Sequence, residues 1–267
     1  TPRSPKIIIC LSSLLRNFEL ASISLIVRVI TSLPSKPDCI GHFPLSCKTY
    51  KNVQTLKKLE KYFNRFVIKF EEDPDVSEFN MLNINMAYQA HGIKGNLLHW
   101  HSMKSCGLLL NEEVKKYNSN YDWVIWCRPD LHYFNSLENI NLLDNNNYYS
   151  TSHDNHLNGL NDRFFISNLP NALKRMSIYD YFIQEWYQNF HNDQNHLTWS
   201  VYYNKYVWNA EIVLRDYLIN LNLNVSKINL CFGKLRDNLL ATKPYWNSMQ
   251  NQHDIINAEV KTKLSKM

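Results

Sequence analysis

The chain has 267 residues, with 29 Lys and Arg against 24 Asp and Glu, a formal net charge of +5. Hydrophobic residues make up 45% and charged residues 20%, the proportions of a globular protein with a sizeable core. The mild positive balance favours anionic ligands, but Lys and Arg are scattered without a basic stripe, which argues against nucleic acid as a partner.

Six cysteines stand at 10, 39, 47, 106, 127 and 231, none in C-x-x-C spacing, so no zinc site or redox motif is implied. Free cysteines in core strands fit a reduced, cytoplasmic protein better than a disulfide framework. The longest apolar run, Ile23 to Ile30, is broken by Arg28. It is far short of the ~20 residues a bilayer span needs, so no transmembrane segment is expected. The sequence begins at Thr1 with no initiator Met and no signal-like segment, and we read its start as trimmed or engineered. The six glycines form neither G-x-G-x-x-G nor G-x-x-x-x-G-K-[ST], which excludes the usual dinucleotide fingerprint and the P-loop. The Asn-rich stretches 145–147 and 189–195 are read as polar loops or coding bias.

In chain order, Lys6 to Leu11 is a short apolar strand. Glu19 to Leu33 carries apolar residues at 20, 23, 26, 27, 30 and 33, the spacing of an amphipathic helix, and Pro34 and Pro37 end it. Asp38 to Phe43 reads as a strand, 53–63 as a helix, and Phe66 to Phe70 as a third strand. The acidic segment from Glu71 opens a polar loop reaching about residue 90. Leu97 to Tyr117 reads as a long helix and 121–127 as a buried strand. Tyr148 to Thr151 is another strand, the loop 152–160 follows, and Asn161 to Ile166 runs into the next strand. Helices are expected at 171–190 and 209–221, with a returning strand at 224–232. Strands alternating with helices at this spacing indicate βαβ units and a mostly parallel central sheet flanked by helices. No repeat or linker is visible, so one domain is expected over 1–246, with 247–267 as a polar tail or docking helix.

The chemistry concentrates at strand ends. Tyr121-Asp-Trp-Val-Ile-Trp-Cys127 is a buried-strand run that stops at Arg128-Pro-Asp130. Charge placed directly after such a strand is how open α/β sheets meet a ligand. Arg128 can grip phosphate oxygens and Asp130 can hold Mn²⁺ or Mg²⁺; a plain strand-end salt bridge is the structural alternative. Ser12-Ser-Leu-Leu-Arg16 follows the first strand, where backbone N–H groups can meet a phosphate or base; an exposed Arg16 is the simpler reading. Asn161-Asp-Arg163 is expensive to bury unpaired, so it lines a solvated turn or a polar cleft. Asp162 there is a candidate metal, sugar or catalytic carboxylate. Glu211 opens the last helix, either complementing its N-terminus or serving as a general base. Asp73-Pro-Asp75 is discounted as a metal motif because it lies in an acidic loop. The histidines 153, 156, 191 and 196 lack metal-ligand spacing. The aromatic residues Trp186, Tyr187, Trp199, Tyr202, Tyr203, Tyr206 and Trp208 either fill core or stack on sugars.

Taken in order, Lys6-Ile-Ile-Ile-Cys-Leu-Ser-Ser-Leu-Leu-Arg16, Asp38-Cys-Ile-Gly-His-Phe43, Tyr121 to Leu131, Asn161 to Ser167 and Asn209-Ala-Glu-Ile-Val-Leu214 resemble GT-A-type glycosyltransferases. The likeness is to groups in large viruses, bacteria and protists that modify surface glycans, and it covers roughly residues 6 to 230. It implies a GT-A, Rossmann-like fold and transfer of a sugar from a nucleotide-diphosphate donor, with UDP expected, to a glycan hydroxyl. It also implies a divalent cation at a D-x-D motif, which here reads Arg128-Pro-Asp130. On the resemblance, Leu11, Ser12, Ser13, Arg16, Arg128, Asp130 and Arg163 hold the donor and Asp130 the metal. Glu211 falls where inverting members place their base, and Asp162 where the sugar is lined. A catalytically silent carbohydrate- or nucleotide-binding domain of the same fold is the alternative, motivated by the missing first Asp.

Overall fold

A computed structural model describes residues 3–77, 92–152, 159–190, 193–196, 198–200, 205–207, 209–236 and 239–240. β1 (Ile7–Ser12) is buried along its whole length, as a central strand covered on both faces must be. A continuous helical segment follows: α1 (Phe18–Ser24), a π-helical turn over Leu25–Val29 and a 3-10 turn over Ile30–Ser32. It covers the helix expected at 19–33. The Arg28 carbonyl in the π-helical turn accepts from Leu137 N at 2.7 Å. β2 (Asp38–Pro44), α2 (Tyr50–Glu60) and β3 (Phe66–Glu71) come next. Thr49 caps α2, its side chain accepting from Asn52 N.

The long helix α3 (Gly92–Tyr117) leads to β4 (Trp123–Cys127), and a turn at Arg128–Asp130 leads to the short β5 (Leu131–Tyr133). β6 (Tyr148–Thr151) and β7 (Phe164–Ser167) precede α4 (Leu169–Met176) and α5 (Ile178–Tyr181). A π-helical turn over Phe182–Trp186 and α6 (Tyr187–Phe190) complete the segment expected as one helix. A hairpin of β8 (Thr198–Ser200) and β9 (Lys205–Val207) precedes α7 (Ala210–Asn220). The strand expected at 224–232 divides into β10 (Val225–Ile228) and the start of β11 (Phe232–Arg236), followed by β12 (Leu239–Leu240). The division falls where Cys231 N donates to Asn135 Oδ1 at 2.6 Å, which turns the chain towards a second sheet.

The fold is α/β, with a mostly parallel central sheet flanked by helices. Seven strands lie in the order β10-β6-β7-β4-β1-β2-β3, and β7 alone runs against its neighbours. Side chains alternate between two cores. Ile8, Cys10, Val124, Trp126 and Phe165 pack against α3, α4, α5 and α7. Ile7, Ile9, Leu11, Ile125, Cys127 and Phe164 face α1, its π-helical extension and α2. The pleat thus buries both faces of β1 and β4. A small antiparallel sheet, β12-β11-β5, sits beyond the end of β4.

All six cysteines are free. No helix among the described residues is long and apolar enough to cross a membrane. The tail 247–267, the loop residues 153–158 and the side chains of Trp199, Tyr202, Tyr203, Tyr206 and Trp208 lie outside the described residues. Trp186 is core: its ring stacks on Phe182 at 5.5 Å and no part of it is exposed.

Candidate functional site

From β1 the chain goes to β2 on one side, while β4 enters on the other. The carboxyl ends of β1 and β4 therefore flank the topological switch point, where open sheets form a ligand crevice. On the β1 side, Ser12 is fully buried and its Oγ accepts from Trp126 Nε1 at 2.9 Å. Ser13 has φ of 103°, a left-handed backbone unusual for a residue with a Cβ. Such a conformation costs about 1–3 kcal/mol and survives only where its surroundings enforce it. Here Ser13 N donates to Ser102 Oγ at 3.0 Å, and Ser102 Oγ donates to the His42 carbonyl at 3.0 Å. His42 Nε2 in turn meets Glu71 Oε2 at 2.8 Å, so the ends of β1, β2 and β3 are tied to α3. Burial lowers the His42 pKa, and Glu71 opposes that only in part.

On the β4 side, Arg128 clasps Asp130 with both arms, Nε to Oδ1 at 2.9 Å and Nη2 to Oδ2 at 2.8 Å. The Asp130 side chain is 0% exposed and that of Arg128 11%. Burial alone would lower the Arg128 pKa, and the charges of Asp130 and Asp162 outweigh it. Asp162 and Arg163 reach this point because β7 is reversed. An antiparallel strand begins at the edge where its parallel neighbours end, so Phe164 pairs with Cys127 and Arg128 N donates to Arg163 O at 3.2 Å.

The turn is built locally by Asn161, whose Oδ1 accepts from Arg163 N at 2.9 Å. Gly159 lets it lie against α7, since a Cβ at 159 would stand 2.6 Å from the backbone carbon and Cβ of Glu211. Asn209 caps α7 by accepting from Glu211 N at 2.7 Å, and Leu160 N donates to Glu211 O at 3.0 Å. Arg163 then lies between two carboxylates, Nη2 3.4 Å from Glu211 Oε1 and Nε 3.7 Å from Asp162 Oδ1. Burial alone would raise the Asp162 carboxyl, but Arg163, His99, Lys234 and Arg128 hold it well below the usual carboxylate range.

Two further groups complete the cluster. His99 of α3 is buried with Nε2 3.4 Å from the Asp162 carbonyl. Burial, and then the Arg128 charge, push its pKa down to about 3, so it is a neutral imidazole at pH 7. Lys234 of β11 sits opposite Leu131 of β5, and Leu235 N donates to Asp130 O at 3.0 Å. Burial lowers the Lys234 pKa to about 7, with Arg163 and Arg128 adding to the effect and Asp162 and Asp130 opposing it.

Of the expected site residues, Arg128, Asp130, Asp162, Arg163 and Glu211 converge. Leu11 is buried in the core and offers a ligand no side-chain atom. Ser12 and Ser13 reach the crevice, but the Ser12 hydroxyl and the Ser13 N–H are engaged with Trp126 and Ser102. Arg16 is exposed on the other flank, where its charge acts on Cys47. His99, Ser102 and Lys234 were not singled out from sequence. Histidine and serine inside a long helix, and one Lys in Phe-Gly-Lys-Leu-Arg, carry no local signal. Asp75 accepts from Ser77 N at 2.9 Å as an ordinary loop residue, and His196 pairs with Asp216 at 2.8 Å.

The resemblance implies Mn²⁺ or Mg²⁺ at Asp130, and the residues as folded do not fit such an ion. Both Asp130 oxygens are hydrogen-bonded to a guanidinium, and the side chain has no exposed surface. Among the described residues, no three His, Cys, Asp or Glu side chains converge as a metal would need.

The carboxyl edge of this open α/β sheet thus gathers three carboxylates, Asp130, Asp162 and Glu211, and three cations, Arg128, Arg163 and Lys234, at the place where such sheets form a ligand crevice. The chain belongs to the family described as a domain of unknown function, DUF7796, which matches residues 2–199. No curated protein matches it. Among solved structures it is similar to mouse xyloside xylosyltransferase 1 in its apo form, at 10% identity over 95% of this chain and 92% of that one, with a TM-score of 0.45. It is also similar to an active-site mutant of LgtC, at 10% identity over 82% of this chain and 72% of that one, with a TM-score of 0.48.

Proposed function

We propose that the chain is a glycosyltransferase that moves a sugar from a nucleotide-diphosphate donor, UDP-linked in the first instance, to a hydroxyl of a glycan acceptor. The observation that carries this reading is the convergence of Arg128, Asp130, Asp162, Arg163, Glu211 and Lys234 at the carboxyl edge beside the switch point. Burying so many charges is costly, and groups of this kind concentrate at functional sites. The five segments that resemble GT-A-type enzymes supply the chemical task.

In the reaction, the acceptor oxygen forms a bond to the anomeric carbon as the bond from that carbon to the donor phosphate oxygen breaks. The electron pair leaves with the nucleoside diphosphate, whose growing charge the cations at the end of β4 stabilise. The acceptor proton passes to a carboxylate. Glu211 is the group assigned here, with Arg163 holding its orientation and Asp162 lining the sugar.

The test is release of nucleoside diphosphate from UDP-, GDP- and dTDP-sugars, with titration of the same donors. Turnover that falls about 100-fold or more in Glu211→Gln, with donor binding retained, is the expected result. Binding without turnover in the wild type would make the chain a silent nucleotide-sugar-binding domain, a reading favoured by the ties of both Asp162 and Glu211 to Arg163. Neither binding nor turnover would remove the proposal.

A further inference from the structure

Resting on the transfer reading above, we infer that the donor diphosphate is held by the Lys234 ammonium, with no divalent cation.

The place of the metal is already filled. A divalent cation there would need several free oxygen ligands. Here the one Asp at that position is closed by a bidentate guanidinium and has no exposed surface. The positive charge a metal would bring is instead built into the chain.

Lys234 is the cation best placed to use it. The β5–β11 pairing sets Lys234 opposite Leu131, one residue beyond Asp130, and the bond from Leu235 N to Asp130 O fixes that strand against the turn. Arg128 is committed to Asp130, and Arg163 lies between Asp162 and Glu211. Among the described residues no hydrogen bond or ion pair engages the Lys234 side chain, although Arg163, Arg128, Asp162 and Asp130 all act on its charge. Arg163 and Arg128 both act against the Lys234 charge, an imbalance that a ligand with two negative charges relieves. Lysine meets phosphate as a compact point charge, and a cation fixed before the reaction stabilises the leaving group without reorganising.

The experiment is calorimetric titration of the full chain with UDP, GDP and dTDP, once in excess EDTA and once in excess Mn²⁺. The expected result is that one of them binds equally under both conditions. Lys234→Gln is then expected to weaken that binding about 10- to 100-fold, as loss of a charge-assisted contact to phosphate would. Lys234→Met, which keeps the apolar stem, serves if the Gln variant does not fold. Binding that needs Mn²⁺, or that is indifferent to both Lys234 substitutions, overturns the inference and leaves the transfer reading standing. No binding under either condition overturns the transfer reading and the inference together.

Discussion

Asp130 has both oxygens within 2.9 Å of Arg128 and no surface of its own. A carboxylate in that setting is tolerated because of the guanidinium, so each partner is a hazard without the other. Arg128→Ala is expected to destabilise the protein by about 3–5 kcal/mol, because the Asp130 charge stays behind in a buried site. Replacing both, as in Arg128→Leu with Asp130→Leu, is expected to recover most of that loss. Urea unfolding of Arg128→Leu, Asp130→Leu and the double variant measures the coupling. Simple additivity of the single losses would mean that the pair is not a unit.

At the scale of elements, the reversed β7 and the N-terminus of α7 bring Asp162, Arg163 and Glu211 to Arg128. Gly159 is the hinge of that arrangement, with a Cβ there placed 2.6 Å from Glu211 atoms. Gly159→Ala is expected to push α7 away, costing about 1–3 kcal/mol, and, for the transfer reaction proposed above, to lower kcat while donor affinity holds. Wild-type melting and turnover in that variant would show that the contact is slack. The strand ends were legible in sequence because long apolar runs stop abruptly at charged residues, as at Cys127-Arg128. The polar turn at 161–163 was legible because charge there precedes Phe-Phe-Ile. The reversal of β7 was not, since strand direction is set by pairing with partners far along the chain. Ser102 and His99 were not legible either. Their partners Ser13 and Asp162 are 89 and 63 residues away, and a 3.6-residue period says nothing about such distances.

Across the whole molecule, acid is the expected weakness. His42, His99 and His101 all have pKa values lowered first by burial, to about 3 for His99. An unfolded histidine takes its proton near pH 6.5, so below that pH the unfolded chain binds more protons than the folded one. The stability contributed by neutral His99 is complete above about pH 6.5 and declines as pH falls towards 3, by about 1.4 kcal/mol per pH unit within that window. Urea midpoints measured between pH 8 and pH 4 should fall more steeply for the wild type than for His99→Gln. Parallel curves would mean that His99 is not buried neutral.

The pairing of β10 with β6 bears on where the folding unit stops. The family match ends at residue 199, before α7, β10 and β11. β10 covers the outer edge of β6 through Val225 to Ile228, and Lys227 stands exposed on that rim. A fragment cut at 199 would strip the cover from Tyr148–Thr151 and leave unpaired backbone beside aromatic side chains, an edge that recruits other chains. Such a fragment is expected to aggregate, with light scattering as the check, whereas one ending after residue 240 keeps its rim. The family's boundary as matched here is therefore narrower than the smallest piece of this chain expected to stay monodisperse.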